Sequence, residues 1–197
     1  MIIPPKLKFG DKIGFISTAR KISLEELNPA IRIMHSWGLE VVLGKFLFGE
    51  YNQFSGTVAQ RSIDLQNMID DDTIKAVFCS RGGYGTIQIL DKVNFSNLRK
   101  NPKWIIGYSD ITVLHSQLNR IGFATLHATM PINFNENSQK SLLSLKNSLF
   151  GLENVIESRS HKLNRFGKIK GEIVGGNLSI LYSLLGSNSD IDTGEIE

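Results

Sequence analysis

Cysteine is almost absent. Cys79 is the only one in 197 residues, so no internal disulfide can form. It lies in the apolar run Ala76-Val77-Phe78-Cys79 and reads as a buried core thiol. Histidine is scarce too: His35, His115, His127 and His161 are the full set. No Cys/His cluster has zinc spacing and no acidic cluster suggests a metal site, so no cofactor is expected. No Lys/Arg block is interleaved with aromatics, and the net charge is only +3, which argues against a nucleic-acid partner. No apolar stretch approaches the ~20 residues of a membrane span. The start, Met1-Ile2-Ile3-Pro4-Pro5-Lys6, lacks the charged-then-apolar pattern of a signal peptide. A cytoplasmic protein with no membrane contact is the expectation. There is no internal repeat and no low-complexity segment.

What is present is the composition of an ordinary globular protein, 41% hydrophobic and 21% charged. Apolar strands alternate with amphipathic helices. Lys12 to Ser17, Glu40 to Leu43, Ile74 to Ser80, Trp104 to Tyr108 and Phe123 to Leu126 read as strands. Ser23 with Glu26 reads as the capping box of a first helix, whose apolar face runs through Leu27, Ile31, Met34 and Trp37 to a stop at Gly38. Thr57 opens a second helix with Ile63, Leu65, Met68 and Ile69 as its apolar side. A helix from Thr86 to about Leu90, one from Asp110 to about Ile121 and one from Ser141 to Phe150 complete the pattern. This alternation predicts an α/β fold, a parallel sheet flanked by helices on both faces. Ligand sites in such sheets lie beyond the carboxyl ends of the strands. After about Asn133 the texture changes, and Gly171 to Leu181 reads as a strand, a double-glycine turn and a new helix that open a second domain.

Two strand-to-helix turns stand out. In Ile106-Gly107-Tyr108-Ser109-Asp110-Ile111-Thr112 an apolar strand stops at a glycine and turns through a serine into a helix. A serine so placed is exposed beside backbone N–H groups, which suits a nucleophile with oxyanion donors. The competing use of Ser109 is a helix cap. Asp110 can serve as a favourable charge in a first helical turn, while its N–H follows the serine. The second turn, Arg81-Gly82-Gly83-Tyr84-Gly85, matches neither the dinucleotide fingerprint nor the P-loop. That weakens a nucleotide-binding reading. Its glycines let backbone N–H groups approach a ligand, and Arg81 suits a carboxylate. The plain alternative is a tight turn with a solvated arginine. His127 follows the fifth strand and is a weaker candidate base than a structural histidine.

Four segments in this order and spacing resemble the LD-carboxypeptidase family of serine peptidases, which includes the muramoyltetrapeptide carboxypeptidases and the microcin C self-immunity peptidases. They are Pro5 to Ser17, Cys79 to Gly85, Ile106 to Thr112 and Gly171 to Leu178. The resemblance runs over essentially the whole chain, which looks like the first two-thirds of a member. It implies a flavodoxin-like nucleophile domain over 1–135, a linker region with a helix over 136–166 and the start of a β-rich carboxy-terminal domain over 167–197. By motif it implies Ser109 as the nucleophile, with the N–H groups of Asp110 and Gly83 as the oxyanion hole. Arg81, Gly82, Tyr84 and Tyr108 are the expected substrate-binding residues. The implied reaction is hydrolysis of the amide bond to a carboxy-terminal D-alanine in murein tetrapeptides, during cell-wall recycling and without a metal. The partner is a peptide with a free carboxylate. His127-Ala128-Thr129-Met130 stands where the family reads His-Gly-Pro-Met. The family's general-base Glu/His pair matches no residue of this chain, so these 197 residues alone are expected to be inactive or incomplete. A catalytically dead peptide-binding module and a microcin-type amide hydrolase are the alternatives. Apolar surface left uncovered makes a homodimer a further expectation.

Overall fold

A computed structural model describes residues 1–194. Five strands form one parallel sheet: β1 (Lys12–Ile16), β2 (Glu40–Leu43), β3 (Ile74–Cys79), β4 (Trp104–Gly107) and β5 (Leu126–His127), in the order β2-β1-β3-β4-β5. All four pairings are parallel, as the alternating pattern predicts. The strand order reverses between β1 and β3, where α/β sheets commonly bind ligands, and the loops after those two strands meet there, the Arg20 N–H donating to the Gly82 carbonyl at 3.3 Å.

Both sheet faces are covered. In β3, Ala76 and Phe78 pack into one core while Val77 and Cys79 pack into the other, the two-residue period of a strand buried on both sides. The first core takes α1 (Leu24–Ser36) through Leu27, Ala30 and Met34, and α4 (Gln139–Phe150) through Leu145 and Leu149. The second takes α2 (Val58–Asp70) through Leu65, Met68 and Ile69, and α3 (Thr112–Arg120) through Val113, Leu114 and Leu118. Helix α1 starts at the expected capping box, with Ser23 Oγ accepting from the Glu26 N–H at 3.2 Å and Glu26 accepting from the Ser23 N–H at 2.8 Å. Thr57 and Gln60 cap α2 the same way.

Several expectations need correcting. Ile63 is 45% exposed, because at about 100° per residue it lies some 200° around α2 from Leu65. The helix expected from Thr86 is instead two short 3-10 turns, Thr86–Gln88 and Leu90–Lys92, since so short a segment cannot carry the cost of nucleating an α-helix. The fifth strand begins at Leu126 because Phe123 bridges Ile2 and the Ala124 N–H bonds the Ile2 carbonyl at 2.8 Å. Residues 171–176 form no strand among the described residues, for no partner strand lies alongside to complete a ladder. Helix α5 (Leu178–Leu184) sends Ile180 and Leu184 into the α2–α3 core. No helix among the described residues is long and apolar enough to cross a membrane.

Candidate active site

The turn after β4 places Ser109. Gly107 must lack a side chain, since a Cβ there would come within 2.7 Å of Ile111 Cγ1. Tyr108 stays extended, and Ser109 then adopts φ +60°, the left-handed region that L-residues avoid at a cost of about 1–2 kcal/mol. This sharp reversal starts a 3-10 turn, Ser109–Ile111, that runs into α3. The Ser109 hydroxyl is half-buried and makes no hydrogen bond among the described residues. The cap of α3 falls at Ile111 and uses no side chain, so Ser109 is not a helix cap. A strained, uncapped serine is a feature that structural roles do not explain.

His115 fixes the floor of this turn. Its Nε2 lies 2.9 Å from the Gly107 carbonyl and its Nδ1 2.8 Å from the Thr125 hydroxyl. A carbonyl only accepts, so Nε2 carries the proton and Nδ1 accepts from Thr125. Burial pushes the His115 pKa down to about 4 and holds the ring neutral. His127 is exposed, packs edge-on to Tyr108 at a centroid separation of 6.4 Å, and makes no hydrogen bond to Ser109. Tyr108 donates its hydroxyl to Asn133 Oδ1 at 2.9 Å, so it flanks the turn from the β5 side.

The glycine turn after β3 lies against the serine turn. A Cβ on Gly82 would sit 3.3 Å from Asp110 Cβ and 3.7 Å from Asp110 N. Gly83 has φ +126° and Tyr84 φ +60°, so successive peptides are turned out of the usual hydrogen-bonding pattern. None of the N–H groups of Gly82, Gly83 and Tyr84 donates to another described residue. Tyr84 is 72% exposed at the rim. Arg81 points to the start of α1, where its guanidinium donates to the Lys21 carbonyl at 3.1 Å and to Glu26 Oε1 at 3.4 Å.

A buried polar network locks the two turns together. Asp110 is 2% exposed, and its Oδ2 accepts from the Gly85 N–H at 3.0 Å, the Thr86 N–H at 3.0 Å and the Thr86 hydroxyl at 2.8 Å. It is therefore a clamp between loops rather than a surface charge on a helical turn. Arg61 of α2 is equally buried. Its guanidinium donates to the Thr18 carbonyl at 2.6 Å, the Gly85 carbonyl at 2.9 Å and Gln88 Oε1 at 2.7 Å, and stacks over the Phe54 ring. Burial pulls the Arg61 pKa down while the charge of Asp110 raises it. Thr18 and Thr86 share a hydrogen bond of 2.8 Å, which brings in the loop after β1. Sequence reading missed Arg61, Thr18 and Thr86, which carry no local motif. Cys79 lies beneath this network, and burial pushes its thiol up to about 12, so it cannot compete as a nucleophile. The double glycine also reaches the site: Gly176 packs against the Thr112 side chain and the Asn177 N–H donates to Thr112 Oγ1 at 2.9 Å, at the first residue of α3.

The chain resembles known proteins over nearly its whole length. Residues 13–128 match the LD-carboxypeptidase N-terminal domain. The probable murein peptide carboxypeptidase of Bacillus subtilis is 37% identical over 196 residues, covering 96% of this chain and 61% of that protein. The murein tetrapeptide carboxypeptidase of Pseudomonas aeruginosa is 30% identical, covering 89% of this chain and 61% of the relative. The crystal structure of an MccF-like protein from Bacillus anthracis superposes with a TM-score of 0.85 at 25% identity, over 98% of this chain and 67% of that one. The chain thus spans about three-fifths of the length of these curated relatives. With a family domain matched across the sheet and both special turns, this chain belongs to the LD-carboxypeptidase family.

Proposed function

We propose that this chain carries the nucleophile and the oxyanion donors of a serine carboxypeptidase that releases a carboxy-terminal D-alanine from murein tetrapeptides in the cytoplasm. Ser109 Oγ attacks the scissile carbonyl, and the N–H groups of Asp110 and Gly83 receive the developing oxyanion. The observation that carries the reading is the strained Ser109, its hydroxyl unbonded among the described residues and its neighbour Asp110 set against a turn whose N–H groups donate to none of them. Preorganised donors of this kind are each worth about 3–4 kcal/mol to an acyl-transfer transition state.

A serine hydroxyl needs a base to ionise at neutral pH. Among the described residues no imidazole or carboxylate hydrogen-bonds Ser109. The family resemblance implies a Glu/His pair for this role, and a serine without its base works several orders of magnitude more slowly than a full triad. A Ser109 hydroxyl with no bonded base among the described residues also fits a second reading, a module that holds such peptides without cleaving them.

The test is D-alanine release from a murein tetrapeptide by this chain and by Ser109→Ala, with peptide binding followed in parallel. Release that disappears in Ser109→Ala, however slow, supports the peptidase. Equal release by both removes Ser109 from the mechanism. Binding with no release favours the module.

A further inference from the structure

A carboxypeptidase has to recognise the terminal carboxylate, and bond lengths restrict where it can do so. The carboxylate carbon is three bonds from the scissile carbonyl carbon, so the two are no more than about 4 Å apart. A cation pairing with that carboxylate reaches it at about 2.8 Å. It must therefore sit within one arginine head of the oxyanion donors.

Four cations surround the glycine turn, and three are engaged. Lys21 Nζ is paired with Glu50 at 2.7 Å. Arg81 is directed at Glu26 and the Lys21 carbonyl. Arg61 is buried beneath the turn on two carbonyls and Gln88. Arg20 differs. Its backbone is anchored, with its N–H donating to the Gly82 carbonyl at 3.3 Å and its carbonyl accepting from Ser17 Oγ at 2.5 Å. Its stem lies across Gly83: a Cβ on that glycine would sit 2.5 Å from Arg20 Cγ, 2.7 Å from Cδ and 2.9 Å from Nε. Arg20 Nε is thus no farther than about 6 Å from the Gly83 nitrogen by bond lengths alone. Arg20 is exposed, and among the described residues its guanidinium makes no hydrogen bond and no ion pair.

We propose that Arg20, not Arg81, receives the terminal carboxylate of the substrate and so sets the preference for peptide ends over internal bonds. The inference rests on the serine carboxypeptidase reading. The planar fork of the guanidinium pairs with both carboxylate oxygens, and the packed stem holds it in place beforehand. Gly83 is then required twice, for its backbone angle and for the room it leaves the Arg20 stem.

The test uses the full chain with Ser109→Ala, so that no peptide is consumed. Calorimetry gives the affinity for a murein tetrapeptide and for its analogue carrying a carboxamide on the terminal D-alanine only. The free acid is expected to bind about 10- to 100-fold more tightly, the usual range for a charged hydrogen-bonded contact. Adding Arg20→Gln should weaken the acid by that factor and leave the amide unchanged, and Arg20→Lys should restore part of the difference. An acid-to-amide ratio that survives Arg20→Gln, or that falls with Arg81→Gln instead, overturns the role of Arg20 and leaves the peptidase reading standing. Failure of the parent chain to bind either peptide overturns both.

Discussion

Replacing Asp110 by alanine removes the acceptor of three buried donors at once. The Thr86 hydroxyl can still donate to Thr18 Oγ1, 2.8 Å away. The N–H groups of Gly85 and Thr86 have no such alternative. Each buried donor left unpaired costs about 1–3 kcal/mol, so Asp110→Ala should lower stability by about 3–4 kcal/mol. Asp110→Asn keeps one accepting oxygen and loses the charge that opposes Arg61, for a cost of about 1–2 kcal/mol. Arg61→Met orphans the Thr18 carbonyl, leaves the Gly85 carbonyl only the Gln88 N–H at 3.2 Å and ends the stacking on Phe54, at a cost of about 2 kcal/mol. The two side chains hold the same residue from opposite ends, Asp110 through the Gly85 N–H and Arg61 through its carbonyl. Removing either one loosens Gly85 and leaves the other buried charge without its counter-charge, so the double variant should be less damaged than the sum, with a coupling of about 1–2 kcal/mol. Equilibrium unfolding in urea, followed by circular dichroism, measures all four corners of the cycle. A loss below about 1 kcal/mol in Asp110→Ala, or additivity within about 0.5 kcal/mol, would refute the clamp.

His115 makes stability pH-dependent. Its pKa is about 4 when folded against 6.5 for the free side chain, so the unfolded chain binds more protons in between. The contribution is complete above pH 6.5 and is lost as the pH falls toward 4, amounting to about 3 kcal/mol. His115→Gln should flatten that slope, and an unchanged slope would mean the ring is not held neutral. At Ser109, glycine should be more stable than alanine by about 1 kcal/mol, the reverse of the usual order, because alanine resists φ +60°. Equal melting temperatures would show that the turn relaxes. The Cys79 thiol should resist a disulfide reagent in the native state and react only as fast as the chain opens. Rapid labelling of folded protein would contradict its burial.

The alternation of apolar runs and capped helices made the parallel sheet legible, because each strand is bounded by glycine or polar residues and α1, α2 and α4 each start at a side-chain cap. Elements without that punctuation were misplaced. The segment after Gly85 has a helical pattern but too few residues to nucleate, and the segment before Asn177 has a strand pattern but no neighbour to pair with. Of the site residues, Ser109 and the glycine turn were visible from local sequence. The contact of Arg81 with Glu26, 55 residues earlier and 3.4 Å away, was not legible, since nothing nearby in sequence indicates it.

The sequence by itself determined the sheet, the position of the serine at a strand end, and the glycines that let backbone donors face a ligand. Those are properties of local pattern and local sterics, which act over a few residues. Only the tertiary structure decided that Ser109 caps nothing, that Asp110 is a buried clamp rather than a helix-end charge, and that Arg61 and Thr18 support it. It also distinguished the arginines around the glycine turn, by setting Arg81 against Glu26 and burying Arg61 while Arg20, unpaired among the described residues, lies across Gly83. Hydrogen bonds and ion pairs between residues 24 to 65 positions apart depend on how loops converge at the end of the sheet, and no local window of sequence carries that information.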